Sequence, residues 1–182
     1  MTKNVAIDID GHRARPILRP TPLLLSGWLT PDDCLRIRSL PTVVAQHGEG
    51  DKYGDEKHQP KTVRCDWFAE RIAIPVAASF LGGRVDPLVK LYHLKVGQGV
   101  KEHVDEDFDG PDGSVATWSV LAYASEGHVG GDTVFPDYPN YQEHRLGDVV
   151  LFPHALRHCA TPVVRGERFV LKTDIFLPRK PA

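Results

Sequence analysis

The sequence predicts one mostly β domain with helices packed on one side. Its 182 residues include 16 glycines and 15 prolines, above the roughly 12% of an average chain, as many short elements joined by turns require. β-branched and aromatic runs bounded by Gly or Pro crowd the region after Val85, the pattern of strands. Helical patterns are confined to the first half, so the two element types segregate instead of alternating. The length lies within the roughly 100–200 residues of one domain and suffices to bury about 70% of the unfolded surface.

Residues 1–20 alternate weakly and carry Arg13, Arg15 and Arg19, which predicts an edge strand or a tail. Pro22–Leu29 reads as a short apolar strand. A short helix follows over 30–40: Thr30 suits an N-cap, Pro31 the first helical position, and Asp32 and Asp33 the positive helix end. Residues 46–61 lack apolar periodicity and read as a solvated loop, with a flap over a site as the functional alternative. Over 66–82 the apolar positions Phe68, Ile72, Val76 and Phe80 predict a second helix, which Pro75 should kink or divide. Strands are expected at Val89–Val96, Val115–Tyr123, Asp148–Phe152 and Arg168–Leu177. In the last, Arg168, Val170, Lys172 and Asp174 share one face, and Phe169, Leu171, Thr173 and Ile175 the other.

The net charge of −2 and a pI near 6.5 argue against a nucleic-acid partner, which usually requires a basic field. No run approaches the roughly 20 apolar residues of a membrane span, and Met1–Asp10 lacks a signal-peptide core. Three cysteines (Cys34, Cys65 and Cys159) without metal-type spacing argue against a disulfide framework. A cytoplasmic, reduced protein without membrane or nucleic-acid partner is expected. Nothing in the sequence sets the oligomeric state.

His103-Val104-Asp105 lies between a strand and a loop. Residues two apart on extended chain point the same way, about 6.6 Å apart, so an imidazole and a carboxylate can converge on one ion. His128, His144, His154 and His158 are the candidates for a third ligand. Two His and one carboxylate on one face of an octahedral metal form the arrangement of non-haem Fe(II) oxygenases. Asp105-Glu-Asp-Phe-Asp-Gly110 imitates the start of a calcium loop, but position 12 is Ala116 and the flanks read as strands. The acidic run 106–112 reads instead as a solvated loop at the mouth of the site. His154 reads as a surface residue or a support to a ligand, His128 and His144 as solvated loop residues, His93 as a strand residue facing away from Tyr92 and Leu94, and Cys159 as packing.

Four ordered blocks resemble the prolyl 4-hydroxylase-type Fe(II)/2-oxoglutarate dioxygenases: Gly97-Gln-Gly-Val-Lys-Glu-His103-Val-Asp105, Gly130-Gly-Asp-Thr-Val-Phe-Pro136, Gly147-Asp-Val-Val-Leu-Phe-Pro153, and His158-Cys-Ala-Thr-Pro162-Val163-Val-Arg-Gly166-Glu-Arg168. The resemblance implies a double-stranded β-helix (jelly roll, cupin-like) as one domain over 1–182. Residues 1–85 would supply N-terminal strands and helices on the outer face of the major sheet, and 86–177 the catalytic core. The family's spacing to Pro162, Gly166 and Arg168 singles out His158 over His154, giving His103, Asp105 and His158 as ligands of Fe(II). It further implies 2-oxoglutarate and O2 as cosubstrates, with ascorbate as an accessory reductant, and hydroxylation of an unactivated C–H bond. Arg168 matches the anchor for the far carboxylate of 2-oxoglutarate, with Lys172 as runner-up and Thr133 as its partner. The family's Tyr before the first glycine is Leu94 here, so Tyr92 or Tyr123 is expected to supply that hydroxyl. The common Tyr-Leu-Asn before the glycine pair reads Tyr123-Ala-Ser.

Nucleic-acid demethylating oxygenases carry a second Arg six residues past the anchor, where this chain has Asp174. A zinc hydrolase would not need the Pro162/Gly166/Arg168 spacing, and a non-catalytic metal-binding module would be expected to lose a ligand. The resemblance implies a prolyl or other amino-acid residue of a peptide or protein as substrate. A free or carrier-bound amino acid, or another small metabolite, is the alternative.

Overall fold

The computed structural model describes residues 21–41, 62–80, 82–139 and 145–179. The alternation in the last strand, β13 (Arg168–Leu177), organises them. Phe169, Leu171 and Ile175 pack against helices α1 (Pro31–Arg38) and α2 (Asp66–Ser79), in one core with Cys34, Ile37, Phe68, Ile72 and Val76. Val170 faces the other way, into a second core with Leu121, Phe135, Val150 and Phe152. The predicted two-faced strand is thus the wall between two apolar layers.

That wall is an 8-stranded sheet with β13 near its middle. Its path runs β1 (Leu23–Leu25), β10 (Val149–Pro153), β7 (Val115–Tyr123), β13, β4 (Leu88–Leu94) and β2 (Val63–Arg64), all antiparallel; β3 (Arg84–Val85) extends beside β13 and β6 (Phe108–Asp109) beside β7. Two small sheets lie opposite: β5 (Val100–His103), β11 (His158–Ala160) and β9 (Thr133–Val134), then β8 (Val129–Gly130) with β12 (Val163–Arg165). Phe135 and Leu156 from the small-sheet side meet Leu121, Val150 and Val170 of the large sheet. Leu94 likewise meets Ala160 and Val163. The fold is a double-stranded β-helix with helices on the outer face of its major sheet, as expected.

The capping expected of α1 is present in full. Thr30 Oγ1 accepts from Asp33 N at 3.1 Å, and Asp33 Oδ2 accepts from Thr30 N at 2.9 Å, which satisfies two of the orphan donors of a helix start. Pro75, expected to kink or divide α2, lies inside one continuous helix. A proline strips the carbonyl four residues back of its donor; here Trp28 Nε1 donates to Arg71 O at 3.2 Å. The apolar strand expected over Pro22–Leu29 stops at Leu25, because the chain turns at Ser26–Gly27. Asp148 holds that turn, its Oδ1 accepting from Gly27 N at 2.8 Å and Ser26 Oγ at 3.2 Å. The expectations for residues 1–20 and 46–61 lie outside the described residues. No helix among the described residues is long and apolar enough to cross a membrane.

Candidate active site

The register of β5 against β11 sets His158 directly across from His103. Asp105, two residues past His103, is fixed by its backbone N–H, which donates to His154 O at 2.9 Å. The ligand atoms of His103, Asp105 and His158 lie within 4.8 Å of one another. Asp105 Oδ1 is 3.6 Å from His103 Nε2, and Oδ2 is 3.9 Å from His158 Nε2. Both rings are oriented alike: Nδ1 of His103 lies 2.8 Å from Lys101 O, and Nδ1 of His158 lies 3.0 Å from Leu156 O. A carbonyl can only accept, so each Nδ1 carries a proton and each Nε2 can offer its lone pair to a metal.

Burial pushes His158 down to about 4, against the pull of the Asp105 carboxylate, so it is a neutral ligand at pH 7. Burial alone would raise Asp105. The His103 hydrogen bond, the charges of Lys172 and His158, and the Ser119 hydroxyl outweigh it and hold the carboxyl well below its usual range. Ser119 Oγ donates to Oδ2 at 2.5 Å. Two imidazoles and a carboxylate facing one point, with open space beside them, suit a divalent first-row metal that keeps exchangeable positions.

One side of the triad opens on a cavity lined by Tyr92, Leu94, His103, Thr133, His158 and Arg168, among others. Arg168 is only 4% exposed. Its Nη2 donates to Thr133 Oγ1 at 2.6 Å, and the same oxygen accepts from the Tyr123 hydroxyl at 2.8 Å. The guanidinium carbon stands 5.4 Å from the centre of the Tyr123 ring. Burial draws Arg168 down, with the Tyr123 oxygen and Asp132 opposing, yet among the described residues Arg168 makes no ion pair. Gly131 (φ 78°) lets the chain pass here, since a Cβ would come within 2.9 Å of Arg168 Cδ. Burial pushes the Tyr123 hydroxyl up to about 12, so it stays a donor.

Lys172, the alternative anchor, is placed differently. Its Nζ donates to Asp174 Oδ1 at 2.7 Å and lies 3.7 Å from Asp105 Oδ2, so two carboxylates already match its charge. Tyr92 lines the cavity from β4, opposite Val170. His154, expected at the surface or in support of a ligand, is 1% exposed. Its ring lies between Asp107 (Nδ1 to Oδ1, 3.1 Å) and Asp174 (Nε2 to Oδ1, 3.2 Å), while its carbonyl holds Asp105. The acidic stretch is exposed as expected, with only Phe108–Asp109 pairing as β6 with β7, and Asp107 and Asp112 partner His154 and Arg84.

The remaining candidates stand apart from the triad. His128 Nδ1 is 2.8 Å from Gly130 O, and His144 lies outside the described residues. His93 stacks on Phe169 with ring centres 4.1 Å apart, on the helix side of the sheet. Cys159 is half-buried, and burial raises its thiol. Ser119 and the His154–Asp174 pair escaped the sequence reading. The signal for Ser119 was a small polar residue on the inward face of an apolar strand.

No protein-family model matches the chain, and no curated protein matches it in sequence. In three dimensions it has the fold of the prolyl 4-hydroxylase-type 2OG-Fe(II) oxygenases. One similar structure is the 2OG complex of the viral collagen prolyl hydroxylase of Paramecium Bursaria Chlorella virus-1, with a TM-score of 0.61 and 15% identity over 87% of this chain and 96% of that one. A Pseudomonas putida prolyl-4-hydroxylase gives 0.57 and 18% identity over 87% and 93%. HygX from Streptomyces hygroscopicus with iron bound gives 0.56 and 14% over 87% and 83%. At these identities the likeness is one of fold.

Proposed function

We propose that the chain is an Fe(II)- and 2-oxoglutarate-dependent dioxygenase that hydroxylates an unactivated C–H bond of an amino-acid unit. The observation that carries this reading is the buried guanidinium of Arg168, without an ion pair among the described residues, beside a ready-made His-Asp-His ligand set. A cation held out of water without a counter-ion is costly, and a dicarboxylate reaching from the metal would supply the missing anion. The solved structures of the same fold include a 2OG complex and an iron-bound protein, which supports the same pairing of groups.

In this reading His103, Asp105 and His158 hold Fe(II) through Nε2, a carboxylate oxygen and Nε2. Bound Fe(II) with 2-oxoglutarate and O2 would supply the oxidising power that converts C–H, 2-oxoglutarate and O2 into C–OH, succinate and CO2. The chain's own residues do the positioning. Arg168 grips the far carboxylate with a charge-assisted fork, and Thr133 fixes the guanidinium. Ser119 and Lys172 occupy one side of Asp105 and hold its carboxylate ionised. Leu94, Val170 and Leu121 make the cavity apolar, which keeps water from the reacting centre.

Anaerobic addition of Fe(II) and 2-oxoglutarate should give a visible metal-to-ligand charge-transfer band. If no band forms and calorimetry detects no 2-oxoglutarate binding, the reading fails.

A further inference from the structure

On the other side of Asp105 lies a second cleft of about 330 Å³, lined by Thr62, Asp86, Leu88, Lys90, Asp105, Glu106, Phe108, Lys172 and Asp174. The metal triad touches both spaces: His103 and His158 line the Arg168 cavity, and Asp105 lines this one. A cosubstrate gripped by Arg168 therefore leaves this cleft as the approach to the metal from the opposite side. Its volume is within the roughly 300–1,000 Å³ of small-molecule sites.

The charges in the cleft divide into satisfied and unsatisfied. Lys172 is matched by Asp174 and Asp105, and Asp86 Oδ1 accepts from Leu88 N at 3.0 Å. Lys90 is the direct cross-strand neighbour of Lys172. Two ammonium groups so placed repel unless each has an anion. Lys172 has two, whereas half-buried Lys90 makes no hydrogen bond or ion pair among the described residues. The same is true of Glu106, exposed beside the ligand Asp105. In the same lining Leu88 and Phe108 are 47% and 42% exposed, giving it apolar walls.

We infer that this cleft binds a free α-amino acid with an apolar side chain, its carboxylate on Lys90 and its ammonium on Glu106. The inference rests on the dioxygenase reading and names its substrate class. Lys90 and Glu106, neither with a partner among the described residues, and two apolar side chains lining one small space match the three parts of that molecule, while Asp86 keeps a backbone N–H as its partner. A residue inside a peptide has neither charge at its main chain. A peptide covering the cleft would leave Lys90 and Glu106 desolvated and unpaired, which sites of this kind reject.

The test uses the full chain loaded with Zn(II) and 2-oxoglutarate, which binds without turning over. Calorimetric titration covers the free proteinogenic amino acids and their N-acetyl amides. At least one apolar free amino acid should bind, and its capped form should bind on the order of tenfold to a hundredfold more weakly. Lys90→Met and Glu106→Gln should each weaken the free form by a similar factor, with Lys90→Arg restoring it. The 2-oxoglutarate affinity of these variants should match the parent, which shows that they are folded. Binding of no free amino acid, equal binding of capped forms, or parental affinity in Lys90→Met would each overturn the inference. Loss of 2-oxoglutarate binding in the parent would instead sink the dioxygenase reading beneath it.

Discussion

Replacing Arg168 by Met separates a functional charge from a structural one. In the ligand-free protein the guanidinium donates to Thr133 at 2.6 Å, hydrogen-bonds the Tyr123 hydroxyl as well, and stands 5.4 Å from the centre of that ring. Losing them costs about 1.5–3 kcal/mol for each charged hydrogen bond and up to about 2 kcal/mol for the cation–π contact. Against this stands the burial of a cation only 4% exposed, a penalty of several kcal/mol per ion. The Thr133 oxygen keeps the Tyr123 hydroxyl as donor, so no new orphan is created. The terms roughly cancel, and Arg168→Met should leave ligand-free stability within about 1–2 kcal/mol of the parent, or raise it. Its 2-oxoglutarate affinity should fall on the order of a hundredfold, the loss of two charge-assisted hydrogen bonds at about 1.5 kcal/mol each. Denaturant unfolding with and without 2-oxoglutarate reads both quantities, because a ligand stabilises only the state that binds it. A variant that unfolds easily without ligand yet keeps 2-oxoglutarate binding would refute the argument and make Arg168 a structural residue.

Three further outcomes follow from the same geometry. His103→Ala should abolish succinate formation and lower Fe(II) affinity by an order of magnitude or more; turnover that survives in a mass-spectrometric succinate assay would remove His103 from the ligand set. His158, held down to about 4 by burial, should make the metal-free protein pH-sensitive. The unfolded chain binds the extra proton below about 6.5, so stability is lost as pH falls from there towards 4, by about 3 kcal/mol in total. Chemical denaturation in chelator should show this slope, and His158→Gln should flatten it. Ser125→Ala should cost about 1–3 kcal/mol, since Ser125 Oγ accepts from the buried Phe169 N at 2.8 Å; an unchanged denaturation midpoint would mean that water takes its place.

That last bond gives a structural use to one position where the chain differs from the pattern it resembles. Where the family has Tyr-Leu-Asn, this chain has Tyr123-Ala-Ser, and Ser125 ties β7's end to the start of β13. Arg168 is the residue before the bond, so a polar residue at 125 helps place Arg168. The long strands were legible in the sequence because each has one face for each core: β7 and β13 match their expected bounds to the residue. The short strands β5, β8, β9, β11 and β12 were not. Runs of two to four residues carry no period of their own, and their pairing is decided by partners far along the chain. His154 illustrates the same limit. Its two carboxylates lie 47 and 20 positions away, so neither its neighbours nor its spacing to His158 could reveal its burial.

Three cations point into the barrel from β4 and β13, and their unequal circumstances organise the functional argument. All occupy equivalent inward positions, Arg168 beyond Val170 and Lys172, with Lys90 across from Lys172. Folding alone accounts for Lys172, which Asp174 and Asp105 neutralise; removing it would take the shared cation from both carboxylates and leave Asp174 with His154. Folding alone does not account for Arg168 or Lys90, which bring charge inward without an ion pair among the described residues, Asp132 acting on Arg168 only from further off. An apolar residue would serve the fold better at the buried Arg168 position, and such locally unfavourable choices concentrate at functional sites. The two unpaired charges lie on opposite sides of the triad. In the proposed reading, the cavity beside Arg168 takes the cosubstrate and the cleft beside Lys90 takes what it oxidises.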